Sequence, residues 1–217
     1  AVTFDDGYRD NLLHALPVLE EFEIPATIYC VARFLEGDTR VWWFDLWDEI
    51  QKREKLEINL RGKKKQFPCS SLKEKIQSYD ILSKILIFSP PSKIWVKLNE
   101  LKEGRPLREY TQLLLNWDEI MQLSQNQLIT VGAHTHSHPN MQLCSDIELR
   151  EEINNCKNIL ESKLGKRVKH FAYPFGGDGQ VSEREIKIVE KTGFRTAVTT
   201  FSEPINKNNL FSLPRQF

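Results

Sequence analysis

The stretch Thr3-Phe4-Asp5-Asp6-Gly7-Tyr8-Arg9-Asp10-Asn11 (TFDDGYRDN) places two adjacent carboxylates and a glycine directly after an apolar, β-branched approach. This pattern reads as a strand running into a tight turn. Neighbouring side chains on a regular strand point to opposite faces, so Asp5 and Asp6 are expected to do different jobs. The residues that follow decide the fold class. Asp10–Phe22 carries Leu12, Leu13, Leu16 and Leu19 at helical spacing, and Pro17 fits only near a first turn or at a kink. Ala26–Val31 (ATIYCV) is a buried strand after Pro25. Strand, helix, strand is the signature of a parallel βαβ unit.

The alternation then lapses and resumes. Val41–Lys52 (VWWFDLWDEIQK) is aromatic and then helical, Leu56–Leu60 and Lys65–Phe67 form a hairpin around Gly62, and Ser71–Ile87 and Ser92–Lys102 are helices divided by Pro90-Pro91. Residues 41–110 are therefore taken as an insertion within one catalytic domain spanning 1–217. The basic RGKKK tip reads as a solvated turn, and Trp42, Trp43 and Trp47 as packing residues. Beyond it, Asn116 with Glu119, Ser145 with Glu148 and Ser182 with Glu185 are capping boxes opening three helices. The helix after Ser145 carries Leu149, Ile153, Cys156 and Leu160 on one face and stops near Gly165. Ile129–Ala133, Val168–Tyr173 and Arg195–Thr199 are strands, and Leu210–Leu213 is a further short one. The sum is an α/β domain with the βα order of a barrel.

Composition narrows the function classes. Thirty basic residues balance thirty acidic ones, so no overall field recruits nucleic acid. No stretch approaches the ~20 apolar residues needed to span a bilayer. The four cysteines, Cys30, Cys69, Cys144 and Cys156, show no metal-finger spacing and read as free, partly buried thiols, which leans toward a reducing, cytoplasmic compartment. The chain starts at Ala1 inside a strand and stops abruptly at Phe217, as a domain taken from a longer protein would.

The strongest chemical signal is GAHTHSHPN, with His134, His136 and His138 within five residues. His134 and His138 can share one metal where the chain turns after a strand, while His136 faces solvent or orients a ligand. In parallel α/β folds functional groups gather at the carboxyl ends of strands. Asp5-Asp6, His134 and Tyr173-Pro174-Phe175-Gly176 each end a strand, so they are expected to meet at one mouth. One carboxylate and two imidazoles leave positions open on a zinc-like ion, which is a hydrolytic arrangement, and the second carboxylate can accept a proton.

TFDDGYRDN, HTHSH and FAYPFG together resemble the polysaccharide deacetylase family, the NodB-homology or carbohydrate esterase 4 group. NWDEIMQLSQNQLITVGAHTHSH resembles the helix and strand that lead into that family's histidine motif. The resemblance implies a distorted (β/α) barrel, a carbohydrate substrate and removal of an N-acetyl group from an amino sugar. It implies Asp5 as catalytic base, and Asp6, His134 and His138 as ligands of one divalent metal, zinc first, with cobalt or nickel able to replace it. It also implies that the backbone N–H of Phe175 helps hold the oxyanion. Tyr173 and, in the loop after the motif proline, Asp178 are candidate oxyanion or substrate contacts. The style of FAYPFG and LPR resembles branches acting on bacterial surface polysaccharides or their precursors.

Two positions depart from the family pattern. Ala172 stands where the family often has an arginine that orients the catalytic aspartate, and no histidine follows His170 to supply the usual late general acid. Arg215, in SLPRQF after the last strand signal, is expected to approach Asp5 and take the missing arginine's place. Two other readings compete: an amidohydrolase-type metal hydrolase, for the His-x-His spacing, and a degenerate metal- or sugar-binding module without turnover.

Overall fold

The computed structural model describes residues 2–60, 62–204 and 209–215; Arg61, in the expected hairpin tip, lies outside them. These residues group into two compact units, Ala1–Thr39 with Tyr110–Phe217, and Arg40–Glu109.

The first unit is built on a five-stranded sheet in the order β1 (Val2–Phe4), β2 (Ala26–Cys30), β5 (Ile129–Ala133), β6 (His170–Ala172) and β7 (Thr196–Val198). All neighbouring pairs run parallel, and the sheet curls into an open half-barrel, the distorted barrel that the sequence resemblance implies. Every strand therefore ends at the same rim. Helices α1 (Leu16–Glu21), α2 (Ala32–Leu35), α6 (Trp117–Gln125), α7 (Asp146–Leu164) and α8 (Glu183–Glu190) complete this unit.

Local chemistry sets the helix ends. Asn116 with Glu119, Ser145 with Glu148 and Ser182 with Glu185 each form a reciprocal capping box, and Gly165 closes α7 in the left-handed conformation at φ 66°. Leu149, Ile153, Cys156 and Leu160 of α7 are fully buried in one stripe against Ile28, Ala133 and Phe171 of the sheet. Each such Leu or Ile contributes about 1.5–3 kcal/mol. Gly132 of β5 makes room for the Tyr29 ring of the neighbouring strand β2, since a Cβ there would lie 2.4 Å from that ring.

Three expectations change. The segment after β1 does not begin as an α-helix. Asn11–Ala15 is a π turn, closed by Leu16 N–H donating to Asn11 O, and Pro17 then falls in the first turn of α1, where its missing N–H costs nothing. The strand expected over Val168–Tyr173 pairs only at His170–Ala172, because the apolar run outlasts the ladder. The stretch Leu210–Leu213 yields a single bridge, Leu213 beside Val198, rather than a strand.

The second unit contains α3 (Trp42–Gln51), the hairpin β3 (Lys55–Leu60) and β4 (Lys63–Pro68), α4 (Leu72–Ile87) and α5 (Pro91–Leu101). Within it Trp47 meets Tyr79 edge-on at 5.5 Å. Asp45, Glu49 and Lys102 are buried together, with Lys102 Nζ donating to Asp45 Oδ1 at 2.6 Å.

Candidate functional site

The site lies at the rim where β1, β5 and β6 end. After Phe4 the chain turns sharply: Gly7 N–H donates to Asp5 O at 2.9 Å, and Asp6 takes φ 70°. The turn sends the two carboxylates apart, as the strand geometry anticipates.

Asp6 points toward His134 and His138. Its Oδ1 is buried and accepts no well-aligned hydrogen bond, yet His138 Nε2 lies 3.2 Å away and His134 Nε2 3.5 Å away. One donor atom from each of the three residues falls within 4.8 Å of the others. Burial alone would raise the Asp6 carboxyl, but the adjacent His138 and His134, and a hydrogen bond from Tyr8, outweigh it and hold the pKa at about 2. Burial lowers the His134 imidazole, which favours its neutral, ligating form.

His134 is oriented from behind. Its Nδ1 lies 2.8 Å from the carbonyl of Ala172. A carbonyl only accepts, so Nδ1 carries the hydrogen and the Nε2 lone pair faces Asp6. Ala172 contributes here through its backbone carbonyl. The loop carrying His138 is clamped from α7: Glu152 accepts from Ser137 N–H at 2.8 Å and Ser137 Oγ at 2.6 Å, and its carbonyl accepts from His136 N–H at 3.0 Å. His136 itself turns away, its Nδ1 lying 3.7 Å from Glu36. Glu152 was not singled out from the sequence; it sits beside the apolar stripe of α7, where a carboxylate reads as an ordinary solvated flank.

Asp5 faces the other way and is gripped by Arg215. The guanidinium makes a two-pronged pair, Nη1 to Oδ1 and Nη2 to Oδ2, both at 2.7 Å, while its Nε donates to Thr199 O at 3.0 Å. The Arg215 side chain is only 9% exposed. This fork-to-fork geometry fixes the plane of the carboxylate, which a lysine would not do.

Backbone strain concentrates at this rim. Asp6, Thr135, His138 and Phe175 all have φ between 59° and 70°, a region that non-glycine residues enter at a cost. Phe175 packs its ring edge-on to His138 at 4.7 Å, and Gly176 beyond it has no room for a Cβ, which would stand 2.9 Å from Thr200 N.

One expectation from the FAYPFG loop fails. Tyr173 is not a substrate contact: its ring is fully buried in the core, its hydroxyl donates to Phe211 O at 2.9 Å and its N–H to Val198 O at 3.2 Å. It follows Ala172 on the chain and takes the inward face of the sheet. Asp178 is exposed in the loop beyond Gly176. His170 sits at the opposite, amino end of β6, with Nδ1 2.7 Å from Thr196 Oγ1.

A curled parallel sheet with a carboxylate and two imidazoles at its rim defines a class of hydrolase-like domain, and the comparisons with known proteins narrow it. The family description "Polysaccharide deacetylase" matches residues 1–197, and the chain belongs to that family. Among solved structures it is similar to the Streptococcus pyogenes deacetylase PplD in complex with acetate, with TM-score 0.60 and 16% identity, over 98% of this chain and 61% of that one. It is likewise similar to a polysaccharide deacetylase from Bacillus cereus, with TM-score 0.56 and 18% identity, over 99% of this chain and 45% of that one. IcaB from Ammonifex degensii gives TM-score 0.56 and 18% identity, over 99% and 66%. At these identities the likeness is one of fold, and the chain spans less than two thirds of the first two. It matches none of the curated proteins. No helix among the described residues is long and apolar enough to cross a membrane.

Proposed function

We propose that this chain is a metal-dependent N-deacetylase that hydrolyses the acetamide of an amino sugar in a poly- or oligosaccharide. The observation that carries the reading is the division of labour between two adjacent aspartates. Asp6 converges on His134 and His138, whereas Asp5 is held apart by Arg215.

The donor set fits a metal. A buried Asp6 oxygen faces two imidazole nitrogens, one of them fixed as a bare Nε2 by its backbone partner. Asp6, His134 and His138 would hold one divalent ion, zinc first and cobalt or nickel as substitutes. Bound there, the ion would supply Lewis-acid polarisation of the acetamide carbonyl and a lowered pKa for water.

The chain's own groups supply the rest. Asp5, planar and immobile on Arg215, is the base that takes a proton from the attacking water. Both of its oxygens accept from the guanidinium, so the pair aims the carboxylate as well as partly offsetting its charge. Phe175 N–H is assigned to the oxyanion as the carbonyl carbon becomes tetrahedral. The strained backbone at Asp6, His138 and Phe175 holds these groups in position before substrate arrives. A bacterial surface glycan or its precursor is the substrate class proposed, on the resemblance carried by FAYPFG and LPR.

The test is acetate release from a panel of N-acetylated oligosaccharides, with metal content measured on the same samples. Chelation and Asp5→Asn should each abolish release. Asp5→Asn should keep the metal, and Asp6→Asn should lose it. Bound metal without release across the panel would instead establish a binding module.

A further inference from the structure

The balance of thirty basic and thirty acidic residues conceals a split between the two units. Arg40–Glu109 holds sixteen basic residues against ten acidic ones, and the rest of the chain fourteen against twenty. We propose that the Arg40–Glu109 unit docks on the surface of a lipid bilayer containing anionic phospholipid, with an aromatic hollow between α3 and α4 as the apolar contact. The inference goes beyond the deacetylase reading and does not depend on it.

The hollow arises because two helices carry a second apolar face. In α3, Trp42, Leu46 and Ile50 are buried, while Trp43, Phe44 and Trp47 point another way and are half-buried. In α4, Ser78, Leu82 and Leu86 face inward, while Leu72, Ile76 and Tyr79 fall on a different stripe at i, i+4 and i+7. Trp43, Phe44, Trp47, Ile76 and Tyr79 line an open hollow of about 380 Å3. Leu72 continues its edge at 66% exposure, and Ile76 is 47% exposed. Contiguous apolar surface left facing water marks an interaction site.

The charge around it is complementary to an anionic surface. Lys73 and Lys84 are exposed on α4, three turns apart on one side of the stripe, with a single carboxylate, Asp80, between them. Lys63, Lys64 and Lys65 stand exposed on β4 of the same unit, and Lys93 on α5. The acidic residues are drawn inward: Asp45 and Glu49 are buried on Lys102. The surplus of positive charge therefore lies at the surface.

This pairing favours a bilayer over other occupants. A sugar needs polar partners around its ring, and the only polar side-chain atoms lining the hollow are two indole N–H groups and one phenol. A second copy of the chain, meeting face to face, would bring like charge against like. Nucleic acid would engage the lysines and leave the hollow unused. Trp and Tyr beside an apolar stripe, flanked by lysines, are what the interface of an anionic membrane selects.

The experiment is sedimentation of the 217-residue chain with phosphatidylcholine vesicles, with and without about 30% phosphatidylglycerol. Binding should require phosphatidylglycerol and fall at least tenfold between about 0.05 and 0.5 M salt. Lys73→Gln with Lys84→Gln, and Leu72→Ser with Ile76→Ser, should each weaken it by about tenfold, with circular dichroism unchanged. Brominated lipid should quench tryptophan fluorescence, and Trp43→Phe with Trp47→Phe should remove that quenching while sedimentation persists. No binding at low salt, equal binding to neutral vesicles, or indifference to either double variant would overturn the proposal. So would sedimentation without quenching, which is adsorption by charge alone. Dimerisation abolished by Ile76→Ser, saturable quenching by an N-acetylated oligosaccharide, or duplex DNA outcompeting the vesicles would assign the face to another occupant and overturn it equally.

Discussion

Two clusters of buried charge, one in each unit, differ in how the charge is met. In the unit formed by Arg40–Glu109, the Asp45, Glu49 and Lys102 side chains are 0%, 2% and 3% exposed, and cation answers anion directly. Arg53 and Arg105 add further partners to Glu49. In the other unit the Asp6 side chain is 16% exposed with its Oδ1 buried, and its neighbours are two imidazoles presenting nitrogen atoms rather than a Lys or Arg. Burying charge is costly, and a carboxylate answered by Lys and Arg is a finished structural element. On the function proposed above, a carboxylate facing two imidazoles that converge on the same point would be completed by a cation from outside.

Breaking each cluster should give opposite results. The largest effect is expected at the rim: Asp6→Asn or His134→Ala should abolish tight metal binding while leaving a folded protein, measured by metal analysis and circular dichroism. Loss of the native fold in either variant would mean that the cluster is structural after all. Lys102→Met should do the reverse. Removing the cation from buried Asp45 and Glu49 should cost about 3–5 kcal/mol in chemical denaturation, with metal stoichiometry unchanged in the folded fraction. A cost below about 1 kcal/mol would show the pair to be no stronger than a surface one. Next comes Gly132→Ala, where the new Cβ meets the Tyr29 ring. Overpacking there should cost about 1–3 kcal/mol, and Tyr29→Ala should relieve the clash in the double variant even though it opens a cavity of its own.

What the sequence discloses follows the same division between local and long-range causes. Capping boxes at Asn116, Ser145 and Ser182 are legible because donor and acceptor lie three residues apart. The parallel order is legible because strand and helix periods differ. The π turn at Asn11–Ala15 is not, since its apolar spacing matches an ordinary helix and only Pro17 hints at an irregularity. At the site, Asp6 and the histidines are marked by residue type at strand ends. Their supports are not: Ala172 acts through a carbonyl, which every residue carries, and Glu152 reaches a loop fifteen residues upstream in the chain. Tyr173 misleads because its neighbour Phe175 belongs to the rim, while the pleat turns Tyr173 inward.

The smallest expected effect sharpens the comparison within one sheet. His134 follows the carboxyl end of β5, and His170 opens β6 at its amino end. Both imidazoles are lowered by burial, and His170 further by the neighbouring charges of Lys169 and Arg195. At the amino end the consequence is one of stability alone. Folded His170 resists protonation that the unfolded chain accepts below the ordinary value of 6.5. The native state therefore binds fewer protons there, and stability is full above that value and declines as pH falls through it. His170→Gln keeps a partner for Thr196 without a titrating ring, so it should flatten that decline between pH 7 and 5 in thermal melts. It should leave acetate release untouched, since β6 places it at the far end of the strand from Asp5. A His170→Gln protein that melts with the unaltered pH dependence would return the decline to other groups. One that also lost activity would tie the two ends of the sheet together in a way that the separate geometry of rim and base does not anticipate.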